Sequence, residues 1–445
     1  MSTTVALNNI TAAFVQEAEM MNDVFGHEPM EVRTLRAKAM EDFIAAGIPT
    51  NRHEEWKYLN LSPITSAGYK AALPDESAML THKDTERFAL AGNEALMVVV
   101  ENGFINPLLT DYSMLPDGLT LGTMGSLMSE PQVAEHLFRH AETANEAFVA
   151  LNTMMTADPI VLIIAPNTKI ETPVQLAFVA VPGAGPRMIS PRVLVVAGER
   201  SECTIMESYH THGNGVPTFT NAVSEIVIEE GARVHYTKIQ NENHDALHIN
   251  YHKVNHAPNS YAHLTTLTLG GAMVRNNLNI RLDGSQIDSY LNGLYVVNGK
   301  QVVDNHTLVD HAMPHCHSNE LYKGIIDDAA QGIFNGKIWV RPDAQKTNAY
   351  QSNKNLLLSN EASMNTKPQL EIYADDVKCS HGATTGQLDD EALFYLRARG
   401  IGEQTARALL NHAFAADVLE QVENEAIRTT LLQLLEAKLE EKHAS

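Results

Sequence analysis

The residues best suited to chemistry stand together late in the sequence, in Lys378-Cys379-Ser380-His381-Gly382-Ala383-Thr384. A thiol and an imidazole two positions apart share one face of an extended strand, and both are ligands for iron or zinc. Lys378 beside them is expected to favour the thiolate. Gly382 is expected to relieve crowding where a strand leaves for a helix. Two ligands do not complete a metal site, and a Cys-x-His pair is also a common structural pairing. If the pair acts as a ligand set, its missing members must come from another chain.

Other candidate chemistries fail on spacing. Gly293-Leu294-Tyr295-Val296-Val297-Asn298-Gly299-Lys300-Gln301 resembles a phosphate loop, but it has five residues between its glycines and no hydroxyl after Lys300. A phosphate cradle needs an amide ring of fixed size and a hydroxyl for magnesium, so the match fails. The stretch from Gly332 to Lys337 fails in the same way, and Gly213-Asn214-Gly215 runs into Val216-Pro217. The chain is therefore not expected to hydrolyse a nucleotide. Of 20 histidines, 12 lie between His210 and His317, among them His306, His311, His315 and His317. On a strand His315 and His317 would share a face and chelate, with Cys316 pointing away. Pro314 disturbs that geometry, and no His-Glu-x-x-His or paired Cys-x-x-Cys is present to set a zinc site. Surface histidines stacked between neighbouring strands are the favoured reading.

Those residues must be positioned by a chain of 445 residues, 44% hydrophobic and 19% charged, enough for two or three ordinary domains or one elongated solenoid. A net charge of −22 argues against nucleic acid or an anionic membrane as the main partner. Met1 to Asn9 shows no secretory pattern, and Pro159 to Pro166, the densest apolar stretch, is far short of the ~18 residues of a membrane span. Cys203, Cys316 and Cys379 are scattered and odd in number, which fits a reducing cytoplasm.

Three stretches follow one another. The first ~50 residues read as helical, with Val32, Leu35, Ala39 and Phe43 at helical spacing and a stop at Gly47 and Pro49. Residues 131–155 read as helical again. From Ile160 the period changes to short β-branched runs such as Val161-Leu162-Ile163-Ile164, Val193-Leu194-Val195-Val196 and Glu225-Ile226-Val227-Ile228. They continue through most of the remaining chain without a helical stretch, leaving a sandwich, a barrel or a β-solenoid. An acidic-then-small corner favours the solenoid, since Asp328-Ala329, Asp343-Ala344, Glu361-Ala362 and Asp376-Val377 recur at nearly constant spacing. After Leu388 helices return. Asp389 or Asp390 can cap Glu391 to Arg399 and Gly400 can end it; a second helix carries Ala406, Leu409, Leu410, Ala413 and Phe414 on one face; a third spans Glu425 to Lys442 with Ile427, Leu431, Leu434 and Leu435. The expected units are residues 1–158, mainly helical, 159–384, the β core, and 385–445, helical.

The segment Asp375 to Gly386, followed by Leu393-Phe394-Tyr395-Leu396-Arg397-Ala398-Arg399-Gly400-Ile401, closely resembles the SufB/SufD family of iron–sulfur cluster assembly proteins, in the wording of its SufD branch. The resemblance runs through Glu55-Trp56-Lys57-Tyr58, Ala150-Leu151-Asn152, Val274-Arg275-Asn276, Gly293-Leu294-Tyr295, His315-Cys316-His317-Ser318, Phe334-Asn335-Gly336-Lys337-Ile338 and Pro368-Gln369-Leu370-Glu371-Ile372. It implies a mainly β chain with a right-handed parallel β-helix core between helical domains. It also implies a non-catalytic cytoplasmic scaffold that pairs with a SufB paralogue, carries a SufC ATPase on its C-terminal helices and helps acquire iron. The nascent iron–sulfur cluster would be transient and shared at the SufB–SufD interface, with His381 as a ligand and Cys379 ranked below it; reduced flavin is associated with the assembled complex. Phe394, Tyr395, Leu396, Arg397, Arg399 and Gly400 are the expected ATPase-docking residues, with helix packing as the alternative role for about half of them. A SufB chain would show Glu after the equivalent histidine and a ligand cysteine upstream. Here Gly382 follows His381, and no cysteine occurs from Gln351 to Asp376. An isolated chain could self-pair through its edge strands. The rival readings are a β-helix carbohydrate-active enzyme, which needs clustered carboxylates and usually export, and a metal hydrolase built on the histidines of 306–317.

Overall fold

The computed structural model of the protein describes residues 9–21, 24–25, 28–73, 80–90, 94–213 and 215–440. From Ile160 to Gly386 the described chain contains strands and corners and no helix. From Glu202 onward successive strands alternate between two sheets, each pairing in parallel with the strand two further along. The fold is a parallel β-solenoid with two strands to a turn. Register sets the period: Met273 lies opposite Val302 and Val302 opposite Gln331, equal steps along the chain. All four acidic-then-small pairs fall in corners between consecutive strands. Their spacing, close to half of that step, is thus one strand plus its corner. Of the small members, Ala344 and Ala362 are buried, Val377 is half buried and Ala329 is exposed beside Asp328, which takes the left-handed conformation at φ 50°.

The core follows from the alternation. Leu162, Val195, Ile226, Val254, Ile280, Val309 and Ile338 stand opposite one another in consecutive turns of one sheet, all essentially inaccessible. Each such side chain stabilises the fold by roughly 1.5–3 kcal/mol through burial. The ladder ends at Leu370, opposite Ile338, which is only half buried.

The region before the solenoid is less purely helical than its pattern suggests. Helices Asn9–Met20 and Met30–Ala46 form as expected, with Val32, Ala39 and Phe43 buried and Gly47 at φ 65° ending the second. Residues 131–155 break into Pro131–His136 and Ala147–Met155, because Phe138 and Asn145 between them are left-handed. Strands also occur here. Leu96–Glu101 pairs in parallel with Val174–Ala180, and Leu119–Thr123 runs antiparallel to Ile160–Ile164. An apolar run short enough for either state is decided by an open sheet edge beside it. The strand Phe104–Ile105, antiparallel to Leu96–Glu101, and Leu119–Thr123 close the first end of the solenoid.

Two polar clamps hold this region to the solenoid. Glu225 is fully buried and accepts hydrogen bonds from the backbone N–H of Phe138, His140 and Ala141 at 2.9, 2.8 and 3.0 Å, and from Arg192 Nε at 3.0 Å. The second clamp is the Glu54-Glu55-Trp56 motif, which lies along the outer face of the last turns. Arg275 donates to the Glu55 carbonyl at 2.6 Å and stacks on Trp56, Asn335 donates to the Glu55 carboxylate at 2.9 Å, and Lys367 reaches Glu54 at 2.8 Å.

The chain ends in helices Asp390–Ala398, Glu403–Leu419 and Glu425–Glu440, packed on the outer face of the second sheet. Asp389 is the cap of the first, accepting from Glu391 N and Ala392 N, and Gly400 at φ 88° follows its end. The second helix buries Ala406, Asn411, Ala415, Ala416, Val418 and Leu419; of the other residues expected on one face with Ala406, Leu409 and Ala413 are exposed and Leu410 and Phe414 half buried. The third buries Ile427, Leu431 and Leu435, while Leu434 packs at the margin. Glu441 and Lys442, expected to extend it, lie outside the described residues. None of the described helices is long and apolar enough to cross a membrane.

Candidate functional site

The last turn of the solenoid differs from the others. Strands Ser363–Ile372 and Lys378–Gly386 terminate the two sheets, each paired on one side only. Where most earlier strands are largely buried and Asn348–Leu357 alternates, these two are half buried and exposed along their length. Their free edges carry unpaired N–H and C=O groups, a template for another strand or chain. Tyr350, Ile372 and Tyr373 add exposed apolar surface at this end.

Cys379 and His381 lie on Lys378–Gly386, opposite Ala349 and Gln351. Strand alternation puts both on the inward face. Cys379 packs on the small apolar cluster of Ile338, Val340, Ala344, Ala349 and Ala374, beside Leu370 and Val377. Burial pushes its thiol up. The expectation that Lys378 favours a thiolate is not met, because Lys378 lies on the opposite face of the strand and the burial of Cys379 dominates. His381 sits two residues on and is exposed, since no further turn covers it. Gly382 does not relieve crowding: nothing lies within 4 Å of the position its side chain would take, and the strand continues to Gly386. The link to the capped helix is therefore shorter than Thr384 to Leu388, only Gln387 and Leu388 before Asp389.

Behind His381 the interior is polar. Its neighbour Gln351 donates from Nε2 to Glu320 Oε2 at 2.7 Å, and Glu320 lies opposite Gln351 one turn further in. Burial pushes the Glu320 carboxyl up to about 7. Asn355 Nδ2 donates to Asn353 Oδ1 at 2.8 Å and lies 3.3 Å from the Thr384 carbonyl. A polar lining thus runs inward from the open end through Gln351 and Glu320. The motif search missed Gln351 and Glu320; stepping back from His381 by one turn and then another would have found them once the turn length was known.

The helix Asp390–Ala398 buries only Leu393. Phe394 and Tyr395 are 74% and 56% exposed, Arg397 and Arg399 are exposed, and Leu396 is half buried. Arg399 stacks on Tyr395 and donates to its hydroxyl at 2.7 Å, while Arg397 pairs with Glu403 at 3.2 Å. The helix thus presents an apolar and cationic face beside the last turn.

The histidines of 306–317 do not come together as a chelating set. His315 sits in a corner at φ 61°, outside the strand that His317 begins, so the two share no strand face. His306 belongs to the second clamp, 2.9 Å from Asp304 and 3.2 Å from Glu55, and His311 is buried against Ser318. Nor is Gly293 to Gln301 a phosphate loop: Gly293 is mid-strand, and its lack of a side chain makes room for the Tyr322 ring on the next turn.

Comparison with known proteins agrees with this architecture. Residues 179–414 match the family model described as SUF system FeS cluster assembly, SufBD core domain, and residues 8–176 match that of the SufBD protein N-terminal region. The chain is 35% identical over 400 residues to an iron–sulfur cluster assembly SufBD family protein of Synechocystis, covering 88% of this chain and 87% of the relative. It is 29% identical over 402 residues to the iron–sulfur cluster assembly protein SufD of Escherichia coli, covering 90% and 91% respectively. The SufD protein of Bacillus subtilis is 28% identical over 293 residues, 65% of this chain and 66% of that relative.

Proposed function

The chain belongs to the SufBD family of iron–sulfur cluster assembly proteins, and on that premise we propose that it is the SufD-like scaffold subunit of an assembly complex. In this reading its open last turn pairs with a SufB paralogue, and its C-terminal helices carry a SufC ATPase. His381 supplies one ligand to a nascent cluster completed by the partner, with Cys379 in a lesser role. The cluster is cargo, built there and passed on, and ATP hydrolysis belongs to the partner. The observation that carries the proposal is the uncovered terminal turn, which sets an inward-facing imidazole at an unpaired sheet edge. Two donors on one strand do not complete a metal site, so in this reading a second chain finishes it.

The short connection from Gly386 to Asp389 joins this edge to the exposed helix of Phe394 and Tyr395. Movement of an ATPase docked there would reach the cluster ligand through this short link, opening the interface to iron and sulfide. The surface is tested by co-expression with SufB and SufC chains. Phe394→Ala with Tyr395→Ala should reduce the SufC that co-purifies while leaving the melting temperature of the chain unchanged. Undiminished SufC with this double variant refutes the docking assignment. A chain isolated without partners is expected to self-associate through the same free edges.

A further inference from the structure

A second group of metal-ligating side chains lies away from the last turn, where the solenoid meets the C-terminal helices. His235 and His263 stand opposite each other on strands Arg233–Asn241 and Tyr261–Thr268, on the outer face of the second sheet. Glu423 comes from the turn joining helices Glu403–Leu419 and Glu425–Glu440. One nitrogen from each imidazole and one oxygen of Glu423 lie within 4.8 Å of one another. His235 Nε2 is 3.7 Å from Glu423 Oε2. Four strand spacings of ~4.8 Å place this cluster ~19 Å from Ser380, so it is separate from His381.

Three features make it a site. The imidazoles are largely buried, their side chains fixed by neighbouring turns, whereas the Glu423 side chain is 60% exposed and has room to shift toward a ligand. Around them is a cavity of about 350 Å³, whose rim carries Glu171 and Glu202 bridged by Lys169. The donors also have supporting partners: Tyr261 donates to Glu423 Oε1 at 3.3 Å, and Asn292 Nδ2 lies 2.7 Å from His263 Nε2. Such outer contacts hold metal-binding side chains in place.

The geometry points to a mononuclear site for a borderline divalent transition metal, such as Fe(II) or Zn(II), held by His235, His263 and Glu423 at the joint between solenoid and C-terminal helices. Two imidazoles and one carboxylate are the donor set that suits these ions and leaves positions open for water or another ligand. Donor atoms around such an ion at ~2.0–2.2 Å lie ~3–3.5 Å apart, so closure requires a shift of about 1 Å, available to the exposed Glu423. The bound ion would pin the 420–424 turn to the sheet and so fix the C-terminal helices relative to the last turn.

The test uses the full chain carrying Cys379→Ser and His381→Ala, which removes the last-turn donors and keeps this site distinct from the proposed cluster site. After chelator dialysis it is titrated with Co(II), whose visible absorption reports coordination, and then with competing Zn(II). One saturable equivalent is expected. Glu423→Gln, on an exposed turn, should weaken it at least ~10-fold, and His263→Ala should abolish it. Hydrogen exchange across 420–440 should slow when Zn(II) binds, and should not slow in Glu423→Gln at the same Zn(II) concentration. Absence of saturable binding, or binding unchanged by Glu423→Gln, overturns the site.

Discussion

Glu225→Gln puts the packing of the N-terminal region onto the solenoid to a quantitative test. Glu225 and Arg192 have fully buried side chains, and the carboxylate satisfies three backbone N–H groups as well as the guanidinium. Glutamine keeps the shape but removes the charge and turns one acceptor into a donor. Arg192 then loses its charged partner and keeps neutral contacts: the amide oxygen, Asn152 and Thr153 at 3.1 and 3.0 Å, and the Phe138 ring. Leaving a buried charge unpaired costs about 3–5 kcal/mol, and a stranded N–H adds roughly 1–3 kcal/mol. With some relaxation we expect a loss of about 4 kcal/mol, a large share of the ~5–15 kcal/mol of a typical domain. The assay is urea unfolding followed by circular dichroism, with hydrogen exchange over 137–155 showing whether that segment detaches first. Adding Arg192→Met removes the orphaned charge, so the double variant should be more stable than Glu225→Gln alone. A single-variant loss below about 1 kcal/mol, or strictly additive effects in the cycle, would refute the reasoning.

Two other outcomes follow from the interior. Gly293→Ala would place a methyl group 2.2 Å from the buried Tyr322 ring and should cost about 1–3 kcal/mol in urea unfolding; the cost should shrink in a Tyr322→Leu background, and an equal cost in both would contradict the packing. Acid should destabilise the chain, because burial holds His210, His256 and His311 down to about 4, 3 and 4, while in the unfolded chain they titrate near 6.5. The unfolded state therefore takes up protons first, stability is full above that value, and each ring removes roughly 3 kcal/mol by pH 4. Glu320, raised by burial to about 7, works in the opposite direction as the pH falls from 7 and offsets one of the three. Urea midpoints at pH 7.5, 6, 5 and 4 should fall steadily, and a flat profile would show the imidazoles are not buried neutral.

Much of this was legible locally. The helix stop at Gly47, the cap at Asp389 and the β-branched runs from Ile160 each depend on a few neighbouring residues, and each was found. Contacts between turns were harder, because corner length varies. The step from Leu247 to its partner Met273 is clearly shorter than the step from Gln331 to Ser363. An irregular interval hides which residues are stacked, which is why His235 with His263, and His381 with Gln351 and Glu320, left no visible pattern. Charged residues inside the solenoid were equally hidden. Glu207 is fully buried and accepts from Tyr209 and Tyr236, with His252 at 2.9 Å, although nothing in its own neighbourhood in sequence announces an interior position. His315 shows the reverse error: a strand-like spacing that the left-handed corner cancels. The Cys379–His381 pair could be read from two residues, but its exposure depends on the solenoid stopping at that turn, which only the whole fold determines.

The most direct test is the iron and acid-labile sulfide content of a complex co-expressed and co-purified with SufB and SufC chains and carrying His381→Ala. The account predicts a complex of unchanged subunit stoichiometry that has lost its cluster, with Cys379→Ser keeping most of it. A His381→Ala complex with the iron and sulfide of the unmodified one would contradict the claim that this edge supplies a cluster ligand.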